Sequence, residues 1–273
     1  MPTLDASACT ALLQPLTLIG ARAALTIRKT ARDSGIRNKE DGSPVTAADI
    51  AAEATIRAGL SALVPALPIV SEEQAEHPRP AQDGSYFLVD PLDGTREFIA
   101  GRDEYTVNIA LVTDGAPVLG VIVAPGLGRG LGLIWRGIAG KGAERLAMTA
   151  DGKLLSEGPI HARARPPHET IVVVSRSHLD ARTRDFLASL PQPRPIPCGS
   201  ALKFCRIAEG AADLYPRLAP THDWDVGAGH AIIVAAGGSM LAPDGKALRY
   251  GTADLIIPGF IAAGEGEASG IRG

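Results

Sequence analysis

Residues 86–95 read Tyr-Phe-Leu-Val-Asp-Pro-Leu-Asp-Gly-Thr, an apolar run that ends in two carboxylates, Asp90 and Asp93, and then in a Gly-Thr step. The four apolar residues read as a short buried strand over 86–89 whose tip carries Asp90. Carboxylates at the carboxyl end of a strand are placed to hold a hard cation such as Mg2+. A Gly-Thr step that opens a helix offers free backbone N–H groups, here those of Gly94 and Thr95, to a phosphate. An Asp-Gly dipeptide alone is more often an ordinary turn. With a second acid three residues earlier, the same turn can present a metal and an anion site together, the apparatus of metal-assisted phosphate chemistry.

An acid ends another apolar run upstream, and a further acid opens a helix downstream. Glu72, with Glu73 beside it, follows Pro68-Ile69-Val70-Ser71, and Asp225 follows His222-Asp223-Trp224 where a helix is predicted to begin. Buried strands bring such acids to one sheet edge, where ligands gather in α/β proteins. Carboxylates crowded there repel unless they are protonated or bridged by cations. Taken singly, Asp225 reads as a helix N-cap and Glu72-Glu73 as a solvated loop. Thr46 and Asp49 have capping-box spacing, which accounts for both locally, and a catalytic role for Asp49 stands beside that reading. A threonine hydroxyl such as that of Thr95, polarised by a buried carboxylate, can orient an attacking water.

The chain has 273 residues, enough for one large domain or two closely packed ones. Apolar residues make up 45% and charged residues 21%, a soluble globular balance. With 4% aromatics and 31 glycines, the core is expected to rely on aliphatic side chains and close backbone packing. A net charge of −3 with no basic run argues against a nucleic-acid polymer as partner, though not against a single nucleotide. Cys9, Cys198 and Cys205 are scattered and read as small buried hydrophobes in a reducing cytosol. The first residues lack the positive start of a signal peptide. The apolar stretch 11–27 is broken by Gln14, Pro15 and Arg22, so it reads as an amphipathic helix and not a membrane span. A cytoplasmic protein is expected.

Periodicity predicts a helix to about Thr30 with a kink at Pro15, a turn-rich segment over 31–45, a helix over 46–63 and a strand over 67–71. Residues 105–135 read as an antiparallel meander, with strands at 106–112 and 118–123. Residues 149–168 look like a seam between two halves, 1–150 and 151–273. Beyond it, strands at 171–175, 194–198, 212–215 and 256–261 alternate with helices at 180–190, 200–209 and 225–236, which implies a mainly parallel or mixed sheet.

These pieces, in this order, resemble the magnesium-dependent, lithium-sensitive phosphomonoesterases of the inositol monophosphatase family. The likeness rests on Asp90-Pro91-Leu92-Asp93-Gly94-Thr95, Trp224-Asp225-Val226-Gly227-Ala228-Gly229, Glu72-Glu73 and Thr46-Ala47-Ala48-Asp49, and it spans about residues 38–238. Within the family the CysQ-type 3′(2′),5′-bisphosphate nucleotidases are more alike, through residues 91–99, 104–110 and 199–217. The resemblance implies an α+β / α/β chain with a layered αβαβα sugar-phosphatase-like fold, one half an antiparallel meander and the other a mixed sheet. Most metal ligands would lie in 1–150, and substrate recognition with the last ligand in 151–273.

It further implies two or three Mg2+ ions on Glu72, Asp90, Asp93, Asp225 and the Leu92 carbonyl, with Glu73 acting through metal-bound water. Asp49 and Thr95 would polarise the nucleophilic water, while the N–H groups of Gly94 and Thr95 would hold the scissile phosphate. Ser200, Lys203 and Arg217 match positions that contact the nucleotide and its second phosphate, and His178 matches another. Taken alone, Lys203 and Arg217 would be solvated surface charges. Arg96, Ala201 and Gly227 depart from the family's usual residues without removing a charged ligand, so they bear on substrate preference. The implied activity is hydrolysis of adenosine 3′,5′-bisphosphate, or its sulfated analogue, by in-line attack of an activated water. Two other readings remain: an inositol-1-phosphate phosphatase with the same metals, and a non-catalytic Mg2+- or nucleotide-binding regulator. A missing acid would favour the last, and none is missing. Homodimers are common in the family.

Overall fold

Helix α1 (Ala6–Lys29) starts at Asp5, whose carboxylate accepts from the N–H groups of Ser7 and Ala8, in a computed structural model that describes residues 4–39, 42–74, 77–78, 83–128, 132–176 and 179–266. It runs through Pro15 as one unbroken helix. A small ribbon, β1 (Arg37–Asn38) with β2 (Pro44–Val45), crosses the turn-rich segment and leads into α2 (Ala47–Leu63). There follow β3 (Ile69–Ser71), β4 (Ser85–Asp93), the short α3 (Thr95–Ile99), β5 (Thr106–Thr113), β6 (Ala116–Ala124), β7 (Gly132–Ile138), β8 (Gly142–Met148) and β9 (Leu154–Ile160). Strands β3 to β9 form one seven-stranded sheet in sequence order, with β3 parallel to β4 and every later pair antiparallel.

The meander is therefore longer than its sequence signal. Strand β9 carries it beyond residue 150, so the segment read as a seam supplies the sheet's edge strand, and a division at 150 falls inside the sheet. An edge strand that is largely exposed buries neither face, and Leu-Leu-Ser-Glu-Gly-Pro-Ile accordingly shows no alternation.

The remaining elements are β10 (Thr170–Ser175), α4 (Ala181–Ser189), β11 (Pro193–Cys198), α5 (Leu202–Ala208), β12 (Leu214–Arg217), β13 (Thr221–His222), α6 (Asp223–Ala235), β14 (Ser239–Leu241), β15 (Ile256–Ile257) and β16 (Phe260–Ala263). The five-stranded order β11-β10-β12-β16-β14 is mixed: β10 is parallel to both neighbours, and β16 is antiparallel to both of its own. Residues 256–261 form two short strands in different sheets, since Pro258-Gly259 breaks the run. Helix α6 begins at Asp223, two residues before the predicted start.

Helices α1 and α2 cover one face of the large sheet, while α6 with α5 covers the other; the five-stranded sheet lies on α5, and α4 packs outside it. This is the expected αβαβα order. Along β5, Val107, Ile109 and Leu111 enter the core under α1 and α2, while Ala110 and Val112 enter the core under α6. Both faces are buried, so the strand reads as a continuous apolar run. The scarcity of aromatics also finds its structural counterpart: a Cβ on Gly120 would lie 2.2 Å from the carbonyl oxygen of Ala228, so only glycine lets α6 sit this close to β6. By length and composition α1 could cross a bilayer, but Leu16, Ala23, Ala24 and Ile27 are fully buried in the core it shares with α2. All three cysteines are buried and unpaired.

Candidate active site

Strand parity brings the acids together. Val70 and Leu88 point into the core under α6, so Glu72 and Asp90, two residues further along each strand, emerge on the same face. Strands β3 and β4 are parallel with Ser71 opposite Val89, and the Glu72 N–H donates to the Val89 carbonyl at 3.1 Å. Asp93 would face the other way in a regular strand. Between Asp90 and Asp93, however, β4 takes an extra residue relative to β5, so Asp90 opposes Asn108 and Asp93 opposes Thr106 on one face. Asp225 arrives from the first turn of α6, held by the Thr221 hydroxyl and by the His222 N–H at 3.0 Å. One carboxylate oxygen each from Glu72, Asp90 and Asp225 lies within 4.8 Å of the others.

These acids are poorly compensated. Asp90 is 1% exposed and accepts one N–H, from Leu92, at 3.1 Å. Burial, followed by the charges of Glu72, Asp93 and Asp225, holds its carboxyl well above the usual range. Burial also lifts Glu72 to about 7, with Asp225 adding to the rise and the Lys39 ammonium opposing it. Asp93 rises to about 6 through burial and Asp225, against Lys203. Oxygen ligands crowded until they retain protons suit a hard divalent cation, which would allow them to ionise together. No histidine or thiol belongs to the group.

The turn beside them is built as its sequence suggests. Gly94 takes φ +92°, and a side chain there would meet the Glu104 carbonyl at 3.1 Å. Helix α3 then opens at Thr95. Asp49 makes the capping box and, with its other oxygen, reaches Thr95. Its Oδ2 accepts from the N–H of Thr46 at 2.8 Å and from the Thr46 hydroxyl at 2.5 Å, while Oδ1 accepts from the Thr95 hydroxyl at 3.0 Å. Burial raises its pKa, and the Thr46 and Thr95 bonds oppose that. The Leu92 carbonyl lies 3.1 Å from the Thr95 hydroxyl.

Two partners of this site escaped the sequence reading. Lys39, from the ribbon β1–β2, donates to Glu72 and Glu73 at 2.7 Å each. Although burial works against it, these carboxylates hold the ammonium above its ordinary pKa. Glu73 is raised by burial, with Lys39 opposing. Buried Glu53 on α2 accepts from the hydroxyl of Ser71, the residue before Glu72. Neither Lys39 nor Glu53 ends an apolar run, so no local signal marks them.

A cavity of about 330 Å3 runs from Glu72, Asp90, Asp93 and Asp225 to Ser200, Lys203 and Arg217, with Arg96 and Arg176 also in its wall. Ser200 adopts φ +54°, and its hydroxyl lies 3.1 Å from the Asp93 carbonyl and 2.5 Å from Thr106 Oγ1. A non-glycine residue in this conformation is uncommon and collects at functional sites. Lys203 is buried: its ammonium donates to the carbonyls of Ser200 and Cys198 and lies 5.3 Å from the Tyr215 ring. Arg217 donates to the Pro220 carbonyl at 3.4 Å. His178, read as a further substrate contact, lies outside the described residues.

The inositol monophosphatase family model matches residues 11–269. A 3′(2′),5′-bisphosphate nucleotidase CysQ of Salmonella typhimurium is 45% identical over 230 residues, covering 81% of this chain and 86% of that protein. The same-named protein of Escherichia coli K12 is 43% identical, covering 82% and 86%. Among solved structures, CysQ from Bacteroides thetaiotaomicron, a bacterial member of the inositol monophosphatase family, superposes with a TM-score of 0.74 at 33% identity, covering 96% of this chain and 98% of that one. An inositol monophosphatase from Anabaena shares the fold with a TM-score of 0.74 at 23% identity, covering 95% and 92%. With a family model matched over nearly its whole length and relatives this similar, the chain belongs to the inositol monophosphatase family.

Proposed function

We propose that the chain is a Mg2+-dependent 3′(2′),5′-bisphosphate nucleotidase, which hydrolyses adenosine 3′,5′-bisphosphate to AMP and phosphate, or the sulfated analogue to adenylyl sulfate. The observation that carries this reading is the meeting of Glu72, Asp90 and Asp225 within 4.8 Å beside the Gly94–Thr95 turn. The nucleotidase names of the relatives support the substrate class.

Glu72, Asp90, Asp93 and Asp225, with the Leu92 carbonyl, would hold two or three Mg2+ ions, and Glu73 would act through bound water. Bound Mg2+ lowers the pKa of water and stabilises a leaving alkoxide. The chain's own groups set the geometry. The Thr95 hydroxyl donates its hydrogen bond to Asp49 Oδ1, which leaves an oxygen lone pair to accept an O–H from the attacking water. Thr46 pins the other Asp49 oxygen, so the carboxylate keeps that orientation. The Gly94 and Thr95 N–H groups hold the scissile phosphate.

The cationic far wall favours a substrate with a second phosphate over inositol 1-phosphate, the alternative substrate. In this proposal residues 1–150 carry most of the chemistry, and 151–273 carry the last acid and the wall with Ser200, Lys203 and Arg217. The substrate class and the free cysteines suit a cytoplasmic location, and a homodimer rests on family likeness alone. Phosphate release from adenosine 3′,5′-bisphosphate tests the reading: it should require Mg2+, stop on chelation and leave AMP. An absence of release with Mg2+ present would leave the non-catalytic binding reading in its place.

A further inference from the structure

Four cations line the cavity, and they differ in where their donors point. The Lys203 ammonium is buried and turned to the carbonyls of Ser200 and Cys198, so it shapes its own loop. Arg217 reaches a carbonyl as well, and its charge faces Asp93 and Asp225. Arg96 follows Thr95 directly and belongs to the scissile end. Arg176, at the end of β10, is different. Its side chain is 36% exposed, and it lies in the cavity wall beside Ser175, Gly199 and Ser200.

Glu104 grips this guanidinium along one edge. Arg176 Nε donates to Oε2 at 3.1 Å, and Nη2 donates to Oε1 at 2.9 Å and to Oε2 at 2.8 Å. Nη2 also reaches the Pro197 carbonyl at 3.3 Å. Among the described residues Nη1 has no partner. A planar guanidinium bound to a carboxylate through its Nε/Nη2 edge keeps the Nη1 side for a second anion, in a fixed plane. The same Glu104 carboxylate accepts the Gly199 N–H at 3.0 Å. A side chain at Gly199 would lie 3.0 Å from Glu104 Cβ, so the contact is tight. Glu104 thus ties Arg176 to the loop that carries Ser200, and Ser200 in turn bonds to the Asp93 carbonyl. The guanidinium and the acid end of the cavity are held in one register.

We propose that Arg176 is a specificity-determining residue that takes the second phosphate of a bisphosphate substrate, and that Glu104 is the positioning residue that presents it. This rests on the nucleotidase reading above. A phosphate dianion outcompetes nothing to bind here, because the carboxylate already occupies the other edge of the fork.

The test compares adenosine 3′,5′-bisphosphate with adenosine 3′-monophosphate, which lacks the phosphate that Arg176 would read, on the same enzyme preparations with Mg2+. Arg176→Gln should lower kcat/KM for the bisphosphate roughly ten-fold or more relative to the monophosphate, through KM, as expected for loss of one charge-assisted contact. Arg176→Lys keeps the charge without the fork and should recover part of that ratio. Glu104→Gln should shift the ratio in the same direction by a smaller factor. Equal losses on the two nucleotides in Arg176→Gln and Arg176→Lys would overturn the assignment while leaving the nucleotidase reading intact. A wild-type enzyme that releases phosphate from neither nucleotide would overturn both.

Discussion

At the Asp90 end of the cavity, buried carboxylates face one another with few donors, whereas at the other end Lys203 is held by carbonyls and Arg176 is held along one edge by Glu104. The acid end is complete only with added positive charge, and Lys39 supplies some of it from outside the group. The cationic end is held by the protein itself. Under the proposed function the contrast separates two tasks: a reactive centre whose groups answer to what binds, and a recognition wall whose geometry is set by the protein.

The contrast is broken most sharply at Asp90. Asp90→Asn should lower kcat by about 1,000-fold or more, over roughly 4 kcal/mol of barrier. It should also raise the melting temperature of the metal-free protein at pH 8, since one of the crowded like charges is gone. A melting temperature that falls instead would mean that the acids are stably compensated without a cation. Thr95→Ala and Asp49→Asn should each cost about 100-fold in kcat, the usual range for a group that orients an attacking water. Their effect on KM should be small if the Gly94 and Thr95 N–H groups alone grip the phosphate.

A third prediction concerns pH. Glu72 and Asp93 titrate near 7 and 6 in the folded metal-free protein, against ordinary values of 4.5 and 3.8. The folded state therefore keeps protons that the unfolded chain has lost, and stability should fall as pH rises from about 4 to 7. The Glu72 shift corresponds to at most about 3 kcal/mol. Calorimetry should show this fall without metal, and added Mg2+ should raise the melting temperature more at pH 8 than at pH 5. An equal rise at both would contradict it.

The smallest effect is expected where the two ends join. Ser200→Ala removes the bond to the Asp93 carbonyl and should cost about 1 kcal/mol of stability. Its kcat should drop only a few-fold, because the acids and the Gly94–Thr95 turn remain.

The acid end was legible in the sequence because its chemistry is local. Glu72 and Asp90 each end an apolar run, and strand parity alone puts them on one face. The inward turn of Asp93 was not legible, since it depends on where β4 takes its extra residue against β5. The cationic end was legible only through family likeness. Glu104 and Arg176 are 72 positions apart and sit at ordinary polar places in the chain. Lys39 falls in a turn-rich segment where a lysine is unremarkable, and its pairing with Glu72 and Glu73 exists only after folding. Strand β9 was missed because an exposed edge leaves no apolar alternation to read.

The most direct test of the division between a reactive centre and a bisphosphate-reading wall is phosphate release, with Mg2+ present, from adenosine 3′,5′-bisphosphate and inositol 1-phosphate measured side by side. The account predicts a higher kcat/KM for the bisphosphate in the wild type and loss of both activities in Asp90→Asn. A wild-type preference for inositol 1-phosphate would contradict it.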